Sequence, residues 1–387
     1  MLEFSGETPV NSDRTLCYGE KAMLKRRMLT LLVVLSLVGV GAFGQAKAQD
    51  PIKVRLQLQW VAQSQFAGYY AAVAKGYYAE EGLEVTILEG AVDIVPQQVV
   101  ASGGAEFGIA WVPKVLSSRE GGADLVNIAQ IFQRSGTLQV SFVDAGIEGV
   151  ADLKGKKVGT WGFGNEHEVF AALRAAGIDP DKADDVTIVN QSFDMSQLLN
   201  GEVDAAQAMT YNEYAQVLEQ VNPETGKLYQ PEELSVIDYN DVGTAMLQDH
   251  IFALGSYLAE NEETAVKFIR ASIRGWVFCR DNFEECVDIV LENGPTLGKG
   301  HMTWQLNEIN KLIWPSSAGI GVMDEALWAQ TVKVALEGKV ITKEPENAYR
   351  TDLVTKALEG LMKDMPDLDL KGEKYEPQTV EVTPGGE

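Results

Sequence analysis

Short apolar or alternating segments recur along the chain, separated by longer segments with helical spacing. Strand-like patterns occur first as KVRLQLQ, LEVTILE, EFGIAWV and LVNIAQIF, and then as KKVGT, VTIVNQ, VDAAQAM and LSVIDY. Helical patterns such as FAGYYAAVAKGYY and EVFAALRAAG lie between them. Strands that alternate with helices predict right-handed βαβ units, in which mostly parallel sheets are covered by helices.

The alternation occurs twice, with glycines in corresponding places. Gly76 and Gly103 end helical patterns in the first copy, and Gly177 and Gly201 do so in the second. This repeat predicts two similar lobes, and the mainly helical sequence after Asp249 is assigned to the first. The predicted division is residues 49–142 plus 250–365 for lobe one, 143–249 for lobe two, hinge crossovers near 143–149 and 241–250, and a flexible polar tail at 366–387.

The first 48 residues have the layout of a secretory signal peptide. Lys25, Arg26 and Arg27 precede an apolar run, and an Ala-x-Ala motif ends at Ala48. The run is shorter than the ~18–20 apolar residues of a membrane-spanning helix, which disfavours a membrane anchor. We therefore expect a protein exported across the inner membrane, either periplasmic or held at the cell surface.

The exported chain is strongly acidic. Residues 1–48 carry six of the 32 basic and four of the 56 acidic side chains, which leaves a net charge of −26 on the rest. Such a charge repels nucleic acid, anionic lipid and polyphosphate, so none of these is an expected partner. We expect a monomer.

Aromatic residues stand at corresponding strand ends in the two predicted lobes. Trp60 and Trp111 follow strand patterns of lobe one, and Trp161 and Tyr211 follow strand patterns of lobe two. Open α/β sheets bind ligands at the carboxyl ends of their strands. A single tryptophan is more often part of the core, but four aromatic residues in equivalent places predict a cleft in which a flat ligand stacks.

The loop GTWGFGNEHE resembles the glycine-rich turns that hold phosphates, but its details disagree with that role. His167 stands where a dinucleotide fingerprint needs its third glycine. Glu166 and Glu168 would repel an anion at the helix N-terminus. Asn165 and Glu166 either contact the polar edge of a ligand or support the first turn of the helix, and both roles stay open.

Four further residues are of interest near the predicted cleft. Gln63 and Tyr69 lie near the start of the first helix, and Lys114 and Arg134 are the cations near predicted strand ends. The three histidines lack the spacing of metal ligands, and the sequence has no P-loop or Gly-x-Ser-x-Gly motif. We therefore expect no metal, no cofactor and no enzyme activity.

Cys279 and Cys286 are the cysteines of the exported chain. In one unbroken helix they would lie ~10.5 Å apart, too far for a disulfide. Asp281 and Asn282 are candidate N-caps, so a helix break between the cysteines would let them bridge a tight corner. We expect this pair to be oxidised in an oxidising compartment.

Several segments resemble the periplasmic substrate-binding proteins of ABC importers, in the branch related to thiamine-pyrimidine synthase (ThiY and RibY types). They are LQLQWVAQSQFAGYYAAVAKGYYAEEGLEV, VASGGAEFGIAWVPKVL, IEGVADLKGKKVGTWG and VDAAQAMTYNEYAQVL, and the similarity covers residues 52–360. The resemblance implies a type II-like, two-lobed fold that closes on a small ligand. It also implies delivery of that ligand to a membrane permease and its ATPase.

The resemblance also implies where the ligand binds. The aromatic residue after the first strand falls on Trp60, the Asn-Glu pair falls on Asn165 and Glu166, and the tyrosine of the second lobe falls on Tyr211. The cysteine-rich motif of the pyrimidine synthases is missing. Val61-Ala62 replaces the Tyr-Pro of pyrimidine binders.

These departures favour a riboflavin binder within the branch. Three alternatives remain open: a binder of a thiamine pyrimidine precursor, a thiaminase-like enzyme on the same fold, and a secreted sensor or adhesion module.

Overall fold

The computed structural model describes residues 50–91 and 93–387, and Pro51–Glu387 form one compact unit. The predicted signal peptide, residues 1–48, lies outside the described residues. No helix in the described part of the chain is both long and apolar enough to cross a membrane.

Strands and helices alternate through the first two thirds of the described chain, and helices dominate the last third. The strands are β1 Ile52–Gln57, β2 Leu83–Leu88, β3 Phe107–Ala110, β4 Leu125–Gln130, β5 Thr137–Phe142, β6 Lys157–Thr160, β7 Thr187–Asn190, β8 Ala205–Met209, β9 Leu234–Asp238 and β10 His250–Leu254. The α-helices are α1 Ala67–Ala74, α2 Tyr77–Glu80, α3 Pro96–Ala101, α4 Val112–Glu120, α5 His167–Ala175, α6 Ser196–Leu199, α7 Glu213–Leu218, α8 Tyr239–Val242, α9 Gly255–Glu260, α10 Glu262–Asp281, α11 Phe283–Asn293, α12 Lys299–Ile313, α13 Glu325–Glu337 and α14 Asp352–Asp364.

The strands form two five-stranded sheets with the same topology. The first sheet has the order β2-β1-β3-β10-β4, and the second has the order β7-β6-β8-β5-β9. The first strand of each copy, β1 or β6, pairs in parallel with both of its neighbours. The antiparallel strand, β10 or β5, is contributed by the chain just after it crosses from the other sheet. The predicted two-lobed α/β fold is confirmed, but the sheets are mixed rather than mostly parallel, because each has two parallel and two antiparallel strand pairs.

The first crossover lies earlier than we expected. We placed it after residue 142, but Thr137–Phe142 is strand β5 of the second sheet, where it pairs with β8 and β9. The crossovers are residues 131–136 and 243–249. The hydrophobic pattern does not predict this strand, because Thr137, Gln139 and Ser141 are polar although they are buried.

Buried polar groups tie the two crossovers to each other and to the second lobe. The Gln248 side-chain oxygen accepts from the Gly136 N–H at 2.9 Å. Glu168, in the first turn of α5, accepts from the Met246 N–H at 2.7 Å and from the Ser135 hydroxyl at 2.9 Å. Burial raises the pKa of Glu168 to about 7. The hinge is therefore a hydrogen-bonded unit rather than two independent linkers.

The long helix α10 packs on α1 at a very close approach. A Cβ atom on Gly275 would stand 1.9 Å from the Gly68 carbonyl oxygen, and one on Gly68 would stand 2.3 Å from the Trp276 ring. Only glycine fits at either position without displacing a neighbour. This contact places α10, and the helices that pack on it, against the first lobe.

The C-terminal tail is not the loose segment that its polar sequence suggested. The Gln378 N–H donates to the Asn307 side chain at 2.9 Å, and the Gly385 N–H donates to the Glu219 carbonyl at 3.0 Å. Asn307 belongs to α12, whereas Glu219 follows α7 of the second lobe. Backbone hydrogen bonds and a close approach to Gly298 fix the tail, and neither leaves a hydrophobic pattern in the sequence.

A disulfide joins Cys279 to Cys286 at a Cα–Cα distance of 5.0 Å. Helix α10 ends at Asp281 and α11 begins at Phe283, so Asn282 makes the corner that the sequence suggested. Both cysteines are completely buried. The bridge holds two helices of the first lobe at a fixed angle.

We predict that removal of the disulfide destabilises the protein without changing its fold. The Cys279→Ala, Cys286→Ala double variant should lose roughly 2–3 kcal/mol of unfolding free energy, the loop-entropy expectation for so short a closed loop. Chemical denaturation measures the loss. In the exported wild type, reduction should add the mass of two hydrogens, and two thiols that alkylate freely before reduction would contradict the prediction.

Candidate functional site

A cavity of about 450 Å³ lies between the two lobes, at the carboxyl ends of their strands. Its walls include six residues expected from the sequence: Trp60, Gln63, Trp111, Trp161, Asn165 and Tyr211. Trp60 and Trp161 stand beyond the equivalent strands β1 and β6, whereas Trp111 and Tyr211 stand beyond the equivalent strands β3 and β8. Equivalent strand ends therefore supply an aromatic residue in each lobe. The volume lies in the usual range of sites for small ligands.

Aromatic side chains line the cavity from both lobes. Trp111, Trp161 and Tyr211 are 8%, 4% and 2% exposed. Trp60 of lobe one lies 4.9 Å, centroid to centroid, from Phe193 of lobe two, with their planes tilted by 40°. This pair joins the lobes at the cavity. Sequence reasoning missed Phe193, although it stands three residues after β7 just as Trp60 stands three residues after β1.

Two of the expected site residues lie outside the lining of the cavity. Tyr69 is 1% exposed and packs edge-on against Trp276 at 5.6 Å, so it belongs to the core between α1 and α10. Glu166 turns back onto its own loop, where its carboxylate accepts from the Gly164 N–H at 3.0 Å. The Glu166 side chain thus supports the loop before α5 without capping the helix, and it does not line the cavity.

Glutamines hold the loop that carries Trp161 in place. The Gln207 side-chain oxygen accepts from the Trp161 N–H at 3.3 Å, and its amide donates to the Asn165 carbonyl at 2.6 Å. Gln191 in turn exchanges two hydrogen bonds with the Gln207 backbone, both 2.8 Å long. Phe163 has a φ of 55° and is 77% exposed, so the loop turns sharply between its two glycines.

A row of carboxamides crosses the floor of the cavity, and no periodic pattern along the chain predicts it. Gln65 donates to the Asp249 carboxylate at 2.9 Å and accepts from Gln63 at 2.6 Å. Gln305 donates to the Asn212 side chain at 3.3 Å and accepts from the Gln65 N–H at 3.1 Å. The row connects the second crossover with α7 of the second lobe, because Asn212 precedes that helix.

Asp249 anchors this row and orients a further glutamine. Its second oxygen accepts from the Gln59 amide at 2.6 Å. Because the Gln59 amide nitrogen donates to Asp249, the Gln59 side-chain oxygen can accept a hydrogen bond from a group in the cavity. Burial raises the pKa of Asp249 to about 7, and the Gln65 amide, Lys114 and the Gln59 amide oppose that rise.

The two candidate cations have different environments. Lys114 lines the cavity, with its ammonium group 5.2 Å from the centre of the Trp111 ring. Arg134 lies outside the lining and donates to the carbonyls of Lys311 at 3.2 Å and Pro315 at 3.1 Å. Arg134 therefore fixes the end of α12, and Lys114 is the cation that a ligand would meet.

Lining residues that sequence reasoning missed complete the inventory. They are Gln59, Gln65, Ala91, Ile94, Val95, Pro96, Gln97, Ala110, Ser117, Phe163, Gly164, His167, Phe193, Met209, Asn212 and Glu213. Among the described residues, no group of three or more His, Cys, Asp or Glu side chains is arranged to hold a metal ion. The cavity thus combines ring faces with single hydrogen-bonding groups, as sites for uncharged aromatic ligands do.

Comparison with known proteins agrees with this architecture. The family model described as "NMT1/THI5 like" matches residues 63–286, which is more than half of the chain. The chain belongs to the NMT1/THI5-like family. The periplasmic aliphatic sulphonate binding protein of Escherichia coli superposes with a TM-score of 0.56 at 16% identity, covering 86% of this chain and 94% of that one. This likeness shows a periplasmic-binding-protein fold.

Curated relatives include both binding proteins and enzymes. The riboflavin-binding protein RibY of Chloroflexus aurantiacus is 27% identical over 80% of this chain and 92% of its own length. The formylaminopyrimidine-binding protein of Halalkalibacterium halodurans is 24% identical over 69% and 78%. A 4-amino-5-hydroxymethyl-2-methylpyrimidine phosphate synthase of Aspergillus parasiticus is 25% identical over 61% and 70%.

We predict that Asp249 imposes a pH dependence on stability. Its pKa in the folded protein, about 7, exceeds the ordinary value of 3.8, so the folded state binds more protons than the unfolded state between these limits. Its contribution to stability should therefore fall as the pH rises from about 4 to about 7, by at most ~1.4 kcal/mol per pH unit. Thermal or urea unfolding over this range measures the effect.

The Asp249→Asn variant provides the comparison, because it cannot ionise. The stability difference between the wild type and this variant should change with pH between about 4 and about 7, the range over which Asp249 titrates. Above about pH 7 Lys114 adds its own contribution, because the Asp249 charge raises the Lys114 pKa in the wild type alone. Glu168, whose pKa is also raised, contributes equally to both proteins and cancels in the difference. A difference that is independent of pH would contradict the assignment.

Proposed function

We propose that the protein is the extracytoplasmic substrate-binding component of an ABC importer, and that it captures a flat vitamin-type heterocycle, with riboflavin favoured. The observation that carries the proposal is the interlobe cavity, walled by Trp60, Trp111, Trp161 and Tyr211 at the strand ends. Ring faces supplied by both lobes favour a flat aromatic ligand, since stacking on aromatic side chains does not depend on the ligand's exact substituents.

The polar groups of the cavity suit a ring with alternating donors and acceptors. Gln59 and Gln97 offer side-chain oxygens as acceptors, and the Gln97 oxygen is buried without a partner among the described residues. The Trp161 indole N–H is likewise buried without an acceptor in the described part of the chain. The isoalloxazine ring of riboflavin carries carbonyls and an N–H on one edge, which matches such a set.

The relatives support a vitamin-related ligand but not a single choice. One relative is named as a riboflavin binder and another as a formylaminopyrimidine binder. A thiamine pyrimidine precursor is therefore the second candidate ligand. The size of the cavity and the presence of Val61-Ala62 in place of the Tyr-Pro of pyrimidine binders favour the larger, three-ring ligand.

A binding role is favoured over synthase activity, although several relatives are named as synthases. The cysteine-rich motif expected of the pyrimidine synthases is missing from the sequence. Cys279 and Cys286 are buried in a disulfide of the first lobe and do not line the cavity. As a binding protein, it would work as a periplasmic or cell-surface monomer that delivers its ligand to a permease driven by an ATPase.

We predict that riboflavin binds to the exported protein and that stacking on the aromatic side chains of the cavity quenches the flavin fluorescence. The Trp161→Ala variant should lose about 1–3 kcal/mol of binding free energy, a roughly 5- to 150-fold weaker affinity. Riboflavin phosphate should bind more weakly than riboflavin, because the acidic protein repels a dianion. Fluorescence titration of both flavins measures the affinities.

Trp328→Ala is the matched control, because Trp328 packs against Tyr349 outside the cavity. It should bind riboflavin as the wild type does. Tighter binding of the phosphate would refute the charge argument. Absence of quenching by either flavin, with binding of a formylaminopyrimidine instead, would replace riboflavin by the pyrimidine ligand.

A further inference from the structure

Lys114 is a cation of the first lobe that lines the cavity and has no carboxylate partner among the described residues. It lies in the first turn of α4, immediately after the strand that ends at Ala110, and is half-buried. Its ammonium group stands over the Trp111 ring. Asp249 and Glu166 act on Lys114 through their charge, but neither hydrogen-bonds to it. Burying an ammonium group in such a place costs free energy unless an acceptor takes hydrogen bonds from it.

The nearby carboxylates are already engaged. The two oxygens of Asp249 accept from Gln59 and Gln65. The Glu166 carboxylate accepts from the Gly164 N–H on its own loop. These hydrogen bonds hold both carboxylates in place, and neither of them accepts from the ammonium group. A ligand acceptor in the cavity would therefore give Lys114 a hydrogen bond that the described residues do not supply.

Lys114 also lies where the two lobes meet. A Cβ atom on Gly164 of the second lobe would stand 3.6 Å from Lys114 Cγ and 3.9 Å from its Cε. The lysine stem thus packs against the loop that presents Trp161. A ligand held between Trp111 and Trp161 would have one edge next to this ammonium group.

We propose that Lys114 is the specificity-determining cation of the cavity and donates to a ring carbonyl on the edge of the bound heterocycle. The inference rests on the proposed function and narrows its substrate class to heterocycles with an acceptor-rich edge, such as the dioxopyrimidine ring of a flavin. An exocyclic amino group, as in aminopyrimidines, would place a donor against a donor. The same lysine therefore selects for carbonyl-bearing rings and against amino-bearing ones.

The proposal has a consequence for pH. Burial lowers the pKa of Lys114 to about 8, with Asp249 and Glu166 opposing the shift. A ligand acceptor favours the charged form, so the affinity should fall as the pH rises above about 8, by at most tenfold per pH unit. Of the groups that face Lys114, Asp249 is already ionised above pH 8, because its pKa is about 7. His167, whose pKa is lowered by burial, is already neutral.

The test is a riboflavin titration of the wild type and three variants between pH 7 and 9.5. Lys114→Met should weaken binding roughly 10- to 100-fold at pH 7, which is the effect of losing a hydrogen bond from a charged donor. It should also remove the alkaline limb of the profile, that is, the fall in affinity above about pH 8. Lys114→Arg should restore most of the affinity and also lack the limb, because guanidinium stays charged. Lys333→Met removes an exposed lysine of α13 and should behave as the wild type.

The possible outcomes distinguish failure of the inference from failure of the proposed function. Ionisation of riboflavin itself affects all four proteins equally, so the difference between wild type and Lys114→Met isolates the lysine. If Lys114→Met, shown by circular dichroism to be folded, binds riboflavin with the wild-type affinity and pH profile, the inference is overturned and the proposed function stands. If the wild type does not bind riboflavin, the riboflavin assignment within the proposed function fails, and the inference falls with it.

Discussion

The arrangement of the whole molecule depends on the point where its two crossovers meet. Glu168 of the second lobe accepts hydrogen bonds from Ser135 in the first crossover and Met246 in the second. Gln248 adds a hydrogen bond to Gly136 across the same point. Because these groups are buried, each lost hydrogen bond would leave a desolvated polar atom, so the two crossovers hold a fixed position relative to each other. With the crossovers in this position, the strand ends of the two sheets face each other.

The cavity follows from that arrangement together with the duplicated topology. Strand β3 of the first sheet and strand β6 of the second end at the cavity. Each is followed there by a tryptophan, Trp111 in one lobe and Trp161 in the other. The floor between them is polar, but its carboxamides are bound mainly to one another and to Asp249. Few hydrogen-bonding groups are therefore left for a ligand, and Lys114 is the one that we propose to be decisive for selection.

Much of the fold and part of the site could be predicted from the sequence, for identifiable reasons. Apolar periodicity shows strands and helices, and strand ends show where aromatic residues converge, which located Trp60 and Trp161 correctly in the lining. Periodicity fails where buried strands are polar, as in β5, and where polar backbone contacts fix a segment, as in the tail. It also cannot tell which way a side chain turns, so Tyr69 was assigned to the cleft although it packs on Trp276.

Contacts beyond the two crossovers also join the lobes, beside the cavity. His301 of α12 makes hydrogen bonds to Glu219 at 2.7 Å and to Asn212 at 2.8 Å, both in the second lobe. The tail reaches the same Glu219 through Gly385. Asn212 lines the cavity and receives the end of the carboxamide row. Separating the lobes along this side would break these hydrogen bonds, each worth about 0.5–1.5 kcal/mol. Asn212 therefore both lines the cavity and takes part in the contacts that join the lobes.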